Sequence, residues 1–299
     1  MIREKDNPAR ARPLVRARRR SMTLGAALDG RRCGPTSRAR VRARDAVRAR
    51  TVRRAMPEDA LARAVPSWAR EQAEDARVRR GTYCDYVIDA WDVVEVVGYR
   101  GGVVACAVGA CACAAAEASG AREAANVAWF LSGGGLGASL WLIHMYVTEI
   151  KNVMRALWAV GFGASAVMAA TEGSAPAYVT EHASAMWAVG PMFAALTGLA
   201  FKEGMCYGKP EAAALFLGVP AACLMHLFGA PEEWQTWTTG GVLALLSVFA
   251  ARKLTQDIAD DVGDKSIFMF NALEDPAEKA RWIANARRSG RAYVDESSE

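Results

Sequence analysis

Six long apolar segments fill the middle of the chain, and each is about as long as a lipid bilayer is thick. They are Gly101–Ala116, Val127–Val147, Ala156–Thr171, Ala183–Phe201, Glu211–Gly229 and Thr236–Ala251. Helices of these lengths rise about 24 to 32 Å, close to a hydrocarbon core of about 30 Å. Ala156–Ala170 and Val242–Ala251 contain no charge and no polar face at helical spacing. The pattern therefore predicts an all-α, polytopic membrane protein with six transmembrane helices.

Charged residues between the segments are divided unequally between the two sides of this predicted membrane domain. With six crossings, one side receives Arg100, Lys151, Arg155, Lys202, Lys209, Arg252 and Lys253. The other side receives Arg122 together with Glu117, Glu123, Glu172, Glu181, Glu232 and Glu233. Because basic loops stay on the cytoplasmic side of a membrane, we expect both termini on the cytoplasmic or stromal side.

Residues 1–54 differ in composition from the rest of the chain. They contain 18 of the 37 basic residues but only four of the 32 acidic ones, so the basic net charge comes from this leader. An arginine-rich, acid-poor leader without an apolar core is typical of an organelle transit peptide. A nucleic-acid-binding arm is the alternative, but no aromatic residue lies among the arginines to stack on bases. We predict a plastid transit peptide or disordered leader.

The other domain boundaries are predicted from changes in the polarity of the sequence. Residues 55–84 form a polar linker, and residues 85–99 carry acidic groups at three- to four-residue spacing, which predicts an amphipathic helix at the membrane interface. Residues 100–252 form the six-helix transmembrane domain. Residues 253–299 form a soluble stromal tail, in which Asp275 and Pro276 mark the start of a short helix and Gly290 follows its end.

Cysteines and glycines in the apolar segments indicate packing. The seven cysteines show no paired spacing, so we predict no disulfide framework. Gly133 and Gly137 have the four-residue spacing that lets membrane helices approach closely. A helix break that lines a solute path is the alternative interpretation of this glycine-rich segment.

Ionisable residues at membrane depth are candidates for function. The directions of the segments place five polar residues at the positively charged face, and these are His144, Glu149, Lys202, Glu203 and Cys206. His226 lies about 24 Å deeper along the fifth segment, near the opposite face. The group of five predicts a metal-binding or proton-handling site. The alternative is that Lys202 extends to the interface, Glu203 pairs with a cation and His144 bonds a carbonyl.

Four motifs resemble those of a known family. They are Leu142–Tyr146, the Phe201-Lys202-Glu203-x-x-Cys206-Tyr207 string, Met225–Leu227 and Asp261–Ser266. The chain is similar here to an uncharacterised integral membrane family, a domain of unknown function, of cyanobacteria and plastids. The resemblance covers about Asp85 to Phe270. It implies a multi-span protein of a photosynthetic compartment and implies no reaction.

Three functional hypotheses follow. The first is a non-enzymatic role, either structural or in assembly of membrane complexes, in the thylakoid or inner envelope of the chloroplast. The second is a transporter of a small solute, a proton or a metal ion, and the third is a metal-dependent membrane enzyme that uses His144, Glu203 and Cys206. We found no complete catalytic constellation, and the cofactor and metal stay unknown. We expect the lipid bilayer and other membrane proteins as partners, and no nucleic acid.

Overall fold

A computed structural model describes residues 78–291 of the chain. The predicted leader (residues 1–54), most of the predicted linker and the last eight residues of the predicted tail lie outside the described residues. The predictions for those parts stay predictions.

The described part is almost entirely helical. It opens with two short antiparallel strands, β1 (Arg79–Arg80) and β2 (Asp85–Tyr86). The long helices are α1 (Ala90–Ala118), α2 (Arg122–Leu142), α3 (Thr148–Glu172), α5 (Met186–Tyr207), α6 (Pro210–Leu227) and α7 (Glu232–Thr255). The short helices are α4 (Ala175–Glu181), α8 (Ile258–Val262), α9 (Lys265–Asn271) and α10 (Pro276–Arg288), and a 3₁₀ turn spans Ala183–Ala185.

Each of the six predicted segments falls on a long helix, which agrees with the all-α prediction. Among the described residues, four stretches are long and apolar enough to cross a membrane, and they are Ala90–Ala118, Thr148–Glu172, Ala183–Met205 and Pro210–Leu227. α2 and α7 are long enough but contain more Gly, Ser, Thr and Trp, which lowers their mean hydropathy. Six crossings, and the side on which each terminus lies, therefore stay predictions.

The start of α1 differs from the predicted interfacial helix over residues 85–99. Asp85 lies in β2, and the helix begins only at Ala90 and continues without a break to Ala118. Asp89 caps it, since its carboxylate accepts the N–H groups of Trp91 and Asp92. The Asp92 carboxylate accepts the Asp89 N–H in return. Two of the regularly spaced acidic residues thus form a capping box.

The long helices alternate in direction, so α1, α3 and α6 leave one end of the bundle and α2, α5 and α7 return to it. We call this the Glu203 end, because α5 finishes there, and the opposite end, where α6 finishes, the His226 end. α1 packs along α2, α5 packs between α3 and α6, and α7 packs on α6 and α1. The strands before α1 and the helices after α7 both lie at the Glu203 end, where Arg291 binds Asp85 at 2.8 Å.

Glycines set the closest helix contacts. A Cβ at Gly133 would lie 2.6 Å from the Phe162 ring, and one at Gly137 would overlap the Trp158 ring. α2 is continuous through both positions. The glycines therefore let aromatic rings of α3 reach the α2 backbone, as the packing interpretation predicts, and no helix break occurs there.

The outside of the bundle is apolar as well as the inside. The core contains residues such as Leu140, Leu199 and Phe249, while Trp187, Phe228 and Trp237 are 75%, 77% and 76% exposed. These exposed rings all lie at the His226 end, as in the aromatic belt of a membrane interface. Helices that are apolar all round are typical of a membrane environment.

Candidate functional site

The most highly charged buried site of the described residues lies at the Glu203 end. Glu203 is fully buried in the last turns of α5. Its Oε1 accepts a hydrogen bond from the Tyr99 hydroxyl at 2.8 Å and lies 3.0 Å from Lys202 Nζ. Its Oε2 lies 2.5 Å from Lys209 Nζ and 2.6 Å from Lys253 Nζ. Both oxygens therefore bind ammonium groups that come from three different helix ends.

A second buried carboxylate extends this arrangement. Asp261 of α8 contacts Lys253 Nζ with one oxygen and Arg100 Nε, at 2.6 Å, with the other. Arg100 also donates to the carbonyl oxygens of Gln256 at 2.8 Å and Asp257 at 2.9 Å. We use the name ionic cluster for the residues Tyr99, Arg100, Lys202, Glu203, Lys209, Lys253 and Asp261. It joins α1, α5, α7, α8 and the turn before α6.

Local sequence explains how these side chains meet. Gly208 has a φ of 62°, a left-handed conformation that favours glycine, and it ends α5 so that Lys209 turns back toward Glu203. Lys253 lies in the last turn of α7, where a cation interacts favourably with the helix dipole. Burial lowers the pKa of Lys209 below its ordinary value, although the neighbouring Glu203 carboxylate opposes that shift.

Aromatic rings cover the ammonium groups. Lys202 Nζ lies 4.7 Å from the centroid of the Tyr207 ring, and Lys209 Nζ lies 5.1 Å from the same centroid. On the other side, Lys253 Nζ lies 4.8 Å from the Tyr99 ring centroid. These are cation–π distances, which partly replace the hydration that burial removes.

The Asp261–Ser266 motif connects the ionic cluster to the strands before α1. Asp264 Oδ2 accepts hydrogen bonds from the N–H and the hydroxyl of Thr82, at 2.6 and 2.7 Å. Asp264 Oδ1 accepts from the N–H and the hydroxyl of Ser266. Gly263 has a φ of 68°, and its carbonyl accepts from the Tyr86 hydroxyl at 2.9 Å. The motif is therefore a structural anchor, with Asp261 on its inner side.

Lys265 of the same motif holds the start of α1. Its ammonium lies 3.0 Å from Asp89 Oδ2 and 2.5 Å from Asp92 Oδ2. Burial opposes ionisation of Asp89, but Lys265 and the N–H groups at the start of α1 outweigh it and hold the pKa of Asp89 below its usual value. Burial likewise opposes the charge on Lys265, but the two carboxylates outweigh it and raise the pKa of Lys265.

Of the five residues predicted to form one group, the structure brings Lys202 and Glu203 into contact. His144 lies elsewhere, with Nε2 3.2 Å from Glu95 Oε2 and its ring edge-on to Phe268. Glu149 is exposed at the start of α3. The side chain of Cys206 lies outside the part of the chain that the structure describes.

His226 lies in the last turn of α6, at the end of the bundle opposite the ionic cluster. Its Nε2 lies 2.8 Å from the carbonyl oxygen of Val179, and its Nδ1 lies 3.0 Å from Gln235 Oε1. Gln235 in turn donates to the carbonyl of Ala230 at 2.7 Å. His226 therefore joins α4, α6 and α7.

The chemistry that the site supports is ion pairing. Among the side chains that the structure describes, no group of three or more His, Cys, Asp or Glu residues lies close enough to hold a metal ion. His144 pairs with Glu95, and the oxygens of Glu203 contact three ammonium groups and a hydroxyl. The predicted metal site needs His144, Glu203 and Cys206 together, but among the described contacts His144 and Glu203 do not meet.

Sequence reasoning did not assign five members of the ionic cluster to the site, and these are Tyr99, Arg100, Lys209, Lys253 and Asp261. A usable signal was present, since Arg100, Lys209 and Lys253 all fall on the side that the loop charges define. Asp261 is the first residue of the Asp261–Ser266 motif, which points to a family resemblance but not to a role in a site. Nothing in the sequence indicates that Tyr99 belongs to the ionic cluster.

The fold and the site define an all-helical integral membrane protein with a charged cluster at one end of its bundle. A family model described as an uncharacterised integral membrane protein (DUF2301) matches residues 138–270. The chain is similar to that family from within α2 to within α9, a shorter range than the resemblance from Asp85 predicts. No curated protein and no solved structure matches the chain. The similarity supports a location in a lipid bilayer and assigns no reaction.

Proposed function

We propose that this protein has a structural role in the membrane and assists the assembly of membrane protein complexes. The ionic cluster supports this role because it ties the ends of α1, α5 and α7 and the turn before α6 into one rigid unit. Such a unit can present a fixed helix surface to a partner.

The observation that carries the proposal is a pair of glycines on the outer face of α7. Gly240 and Gly241 are exposed, and a Cβ at either position would meet nothing within 4 Å. Glycine in a helix costs about 1 kcal/mol relative to alanine, and no contact within the described chain requires it here. Small residues on a membrane-facing surface let a second helix approach closely.

We also propose the number of membrane spans, the side on which the termini lie and the membrane that holds the protein. α2 and α7 have 21 and 24 residues, so both are long enough to span a bilayer. Six spans would leave both termini on one side, and the basic loops favour the stromal side. The arginine-rich leader supports import into the chloroplast, with insertion in the thylakoid or inner envelope.

Affinity purification from detergent-solubilised membranes tests the assembly role. The wild type should recover one or more membrane proteins, and Gly241→Leu should lose them because the added side chain prevents close approach. Val248→Leu is the matched control, since Val248 is exposed two turns further along the same helix and already carries a branched side chain. Recovery of the wild type as a lone monomer, or equal recovery of partners by both variants, would contradict the proposal.

A further inference from the structure

The charges of the ionic cluster do not balance. Its cations are Arg100, Lys202, Lys209 and Lys253, each at most 7% exposed, and its carboxylates are Glu203 and Asp261. Arg100 is satisfied by Asp261 and by two carbonyl oxygens. The excess positive charge therefore lies on the lysines. A buried charge without a matching partner is costly, so the cluster favours an additional anion.

Lys202 has unused donor capacity. A lysine ammonium carries three N–H donors, and among the described residues the structure gives Lys202 Nζ one acceptor, Glu203 Oε1 at 3.0 Å. Lys202 and Lys209 both face the Tyr207 ring. Both ammonium groups thus lie beside Tyr207, the residue that ends α5 at the turn to α6.

The start of α6 adds donors at this turn. α6 is 18 residues long, begins at Pro210, and has no side-chain hydrogen bond from its N-cap residue Lys209. The first N–H groups of a helix have no partner within the helix, and the helix dipole favours an anion beside them. Glu211 is in this first turn, where Arg252 binds its Oε2 at 2.6 Å and offsets part of its charge, while its Oε1 is buried and has no hydrogen-bond partner among the described residues.

We propose that the turn between α5 and α6 binds a phosphate group, held by Lys202, Lys209 and the first N–H groups of α6. Free inorganic phosphate and the headgroup of an anionic phospholipid offer the same chemistry. The exposed side chains of Phe201 and Met205 adjoin this turn, so a phospholipid bound there can also cover apolar surface.

Binding by the purified full-length protein in detergent tests the proposal. Inorganic phosphate is titrated by calorimetry, and phosphatidylglycerol is compared with neutral phosphatidylcholine by native mass spectrometry. Lys202→Met should weaken binding of the phosphate-bearing probe at least about tenfold, since a hydrogen bond to a charged group is lost. Arg122→Met is the control, because Arg122 pairs with exposed Glu181 at the other end of the bundle, and it should bind as the wild type does.

The thermal unfolding midpoint gives a second measurement. If Lys202 had only a structural role, Lys202→Met would lower this midpoint. Without phosphate or anionic lipid, Lys202→Met should be at least as stable as the wild type, because it removes part of the unbalanced charge. Binding of phosphate alone identifies the free anion, and binding of phosphatidylglycerol alone identifies the lipid. Binding of neither, or equal binding by wild type and Lys202→Met, overturns the proposal. If Lys202→Met does not fold, Lys209→Met provides the same comparison.

Discussion

Replacement of Glu203 by glutamine removes the carboxylate that three lysines share. The side chain keeps its shape, but Lys202, Lys209 and Lys253 lose the negative charge that lies within 3.0 Å of each ammonium nitrogen. Removing one partner of a buried ion pair typically costs about 3–5 kcal/mol, because the other charge stays buried. Since Glu203 is fully buried and serves three cations, we expect a loss near the upper end of that range.

The assay is thermal unfolding of the purified protein in one detergent at neutral pH. At about 2–4 °C for each kcal/mol in a domain of this size, a loss near about 5 kcal/mol should lower the midpoint of Glu203→Gln by roughly 10–20 °C. Glu211→Gln is the matched control, because Glu211 is also buried at the Glu203 end but its partner Arg252 is half exposed. Arg252 stays hydrated when Glu211 loses its charge, so Glu211→Gln leaves no cation buried without a partner and should cost no more than about 1 kcal/mol.

Equal midpoints for the two variants would refute this reasoning. They would mean that the lysines are accommodated without Glu203, by loss of a proton or by water. If Glu203→Gln does lower the midpoint, a double variant tests whether uncompensated charge is the cause. Glu203→Gln combined with Lys202→Met removes one charge of each sign, so it should recover part of the loss if uncompensated charge is the cause.

Two further outcomes are expected. Gly161→Ala should destabilise the bundle by about 1–3 kcal/mol in denaturation assays, because its Cβ would overlap the backbone of α5, whereas Gly163→Ala meets nothing within 4 Å and should be neutral or stabilising by up to about 1 kcal/mol. Asp89→Asn keeps a capping side chain but loses the ion pair with Lys265, so it should be less stable than the wild type at pH 7. Because the pKa of Asp89 is lowered in the folded state, this difference should shrink as pH falls below about 4, and a constant difference between pH 7 and pH 3 would contradict the assignment.

The long helices could be predicted because bilayer-length apolar runs are visible in the sequence without any knowledge of contacts. Their ends were less predictable. The second segment was extended to Val147, but α2 ends at Leu142 and leaves His144 in the following link, where it pairs with Glu95. Apolar composition continues past the helix end there, so hydropathy alone does not mark it.

The candidate site was only partly predictable, because its members come from positions that are distant in sequence. Lys202 and Glu203 stand out in the sequence as ionisable groups that are costly within a span, and both are buried in the structure. In the sequence, Lys253 and Arg100 are indistinguishable from ordinary loop charges, although a charge at the end of a helix can be as buried as one at membrane depth. Lys253 is fully buried.

The loop charges therefore have two roles at the Glu203 end. In the positive-inside rule, basic residues act by staying in water on one side of the membrane. In this protein Lys202, Lys209 and Lys253 carry the same signal but turn inward, where they bind one carboxylate. Basic residues at the ends of spans are normally used to predict the orientation of a protein in the membrane. They also indicate a buried ionic site when an acidic residue lies at the end of a neighbouring span. In this protein Glu203 is that residue, since α5 and α7 both end at the Glu203 end and bring it beside Lys253.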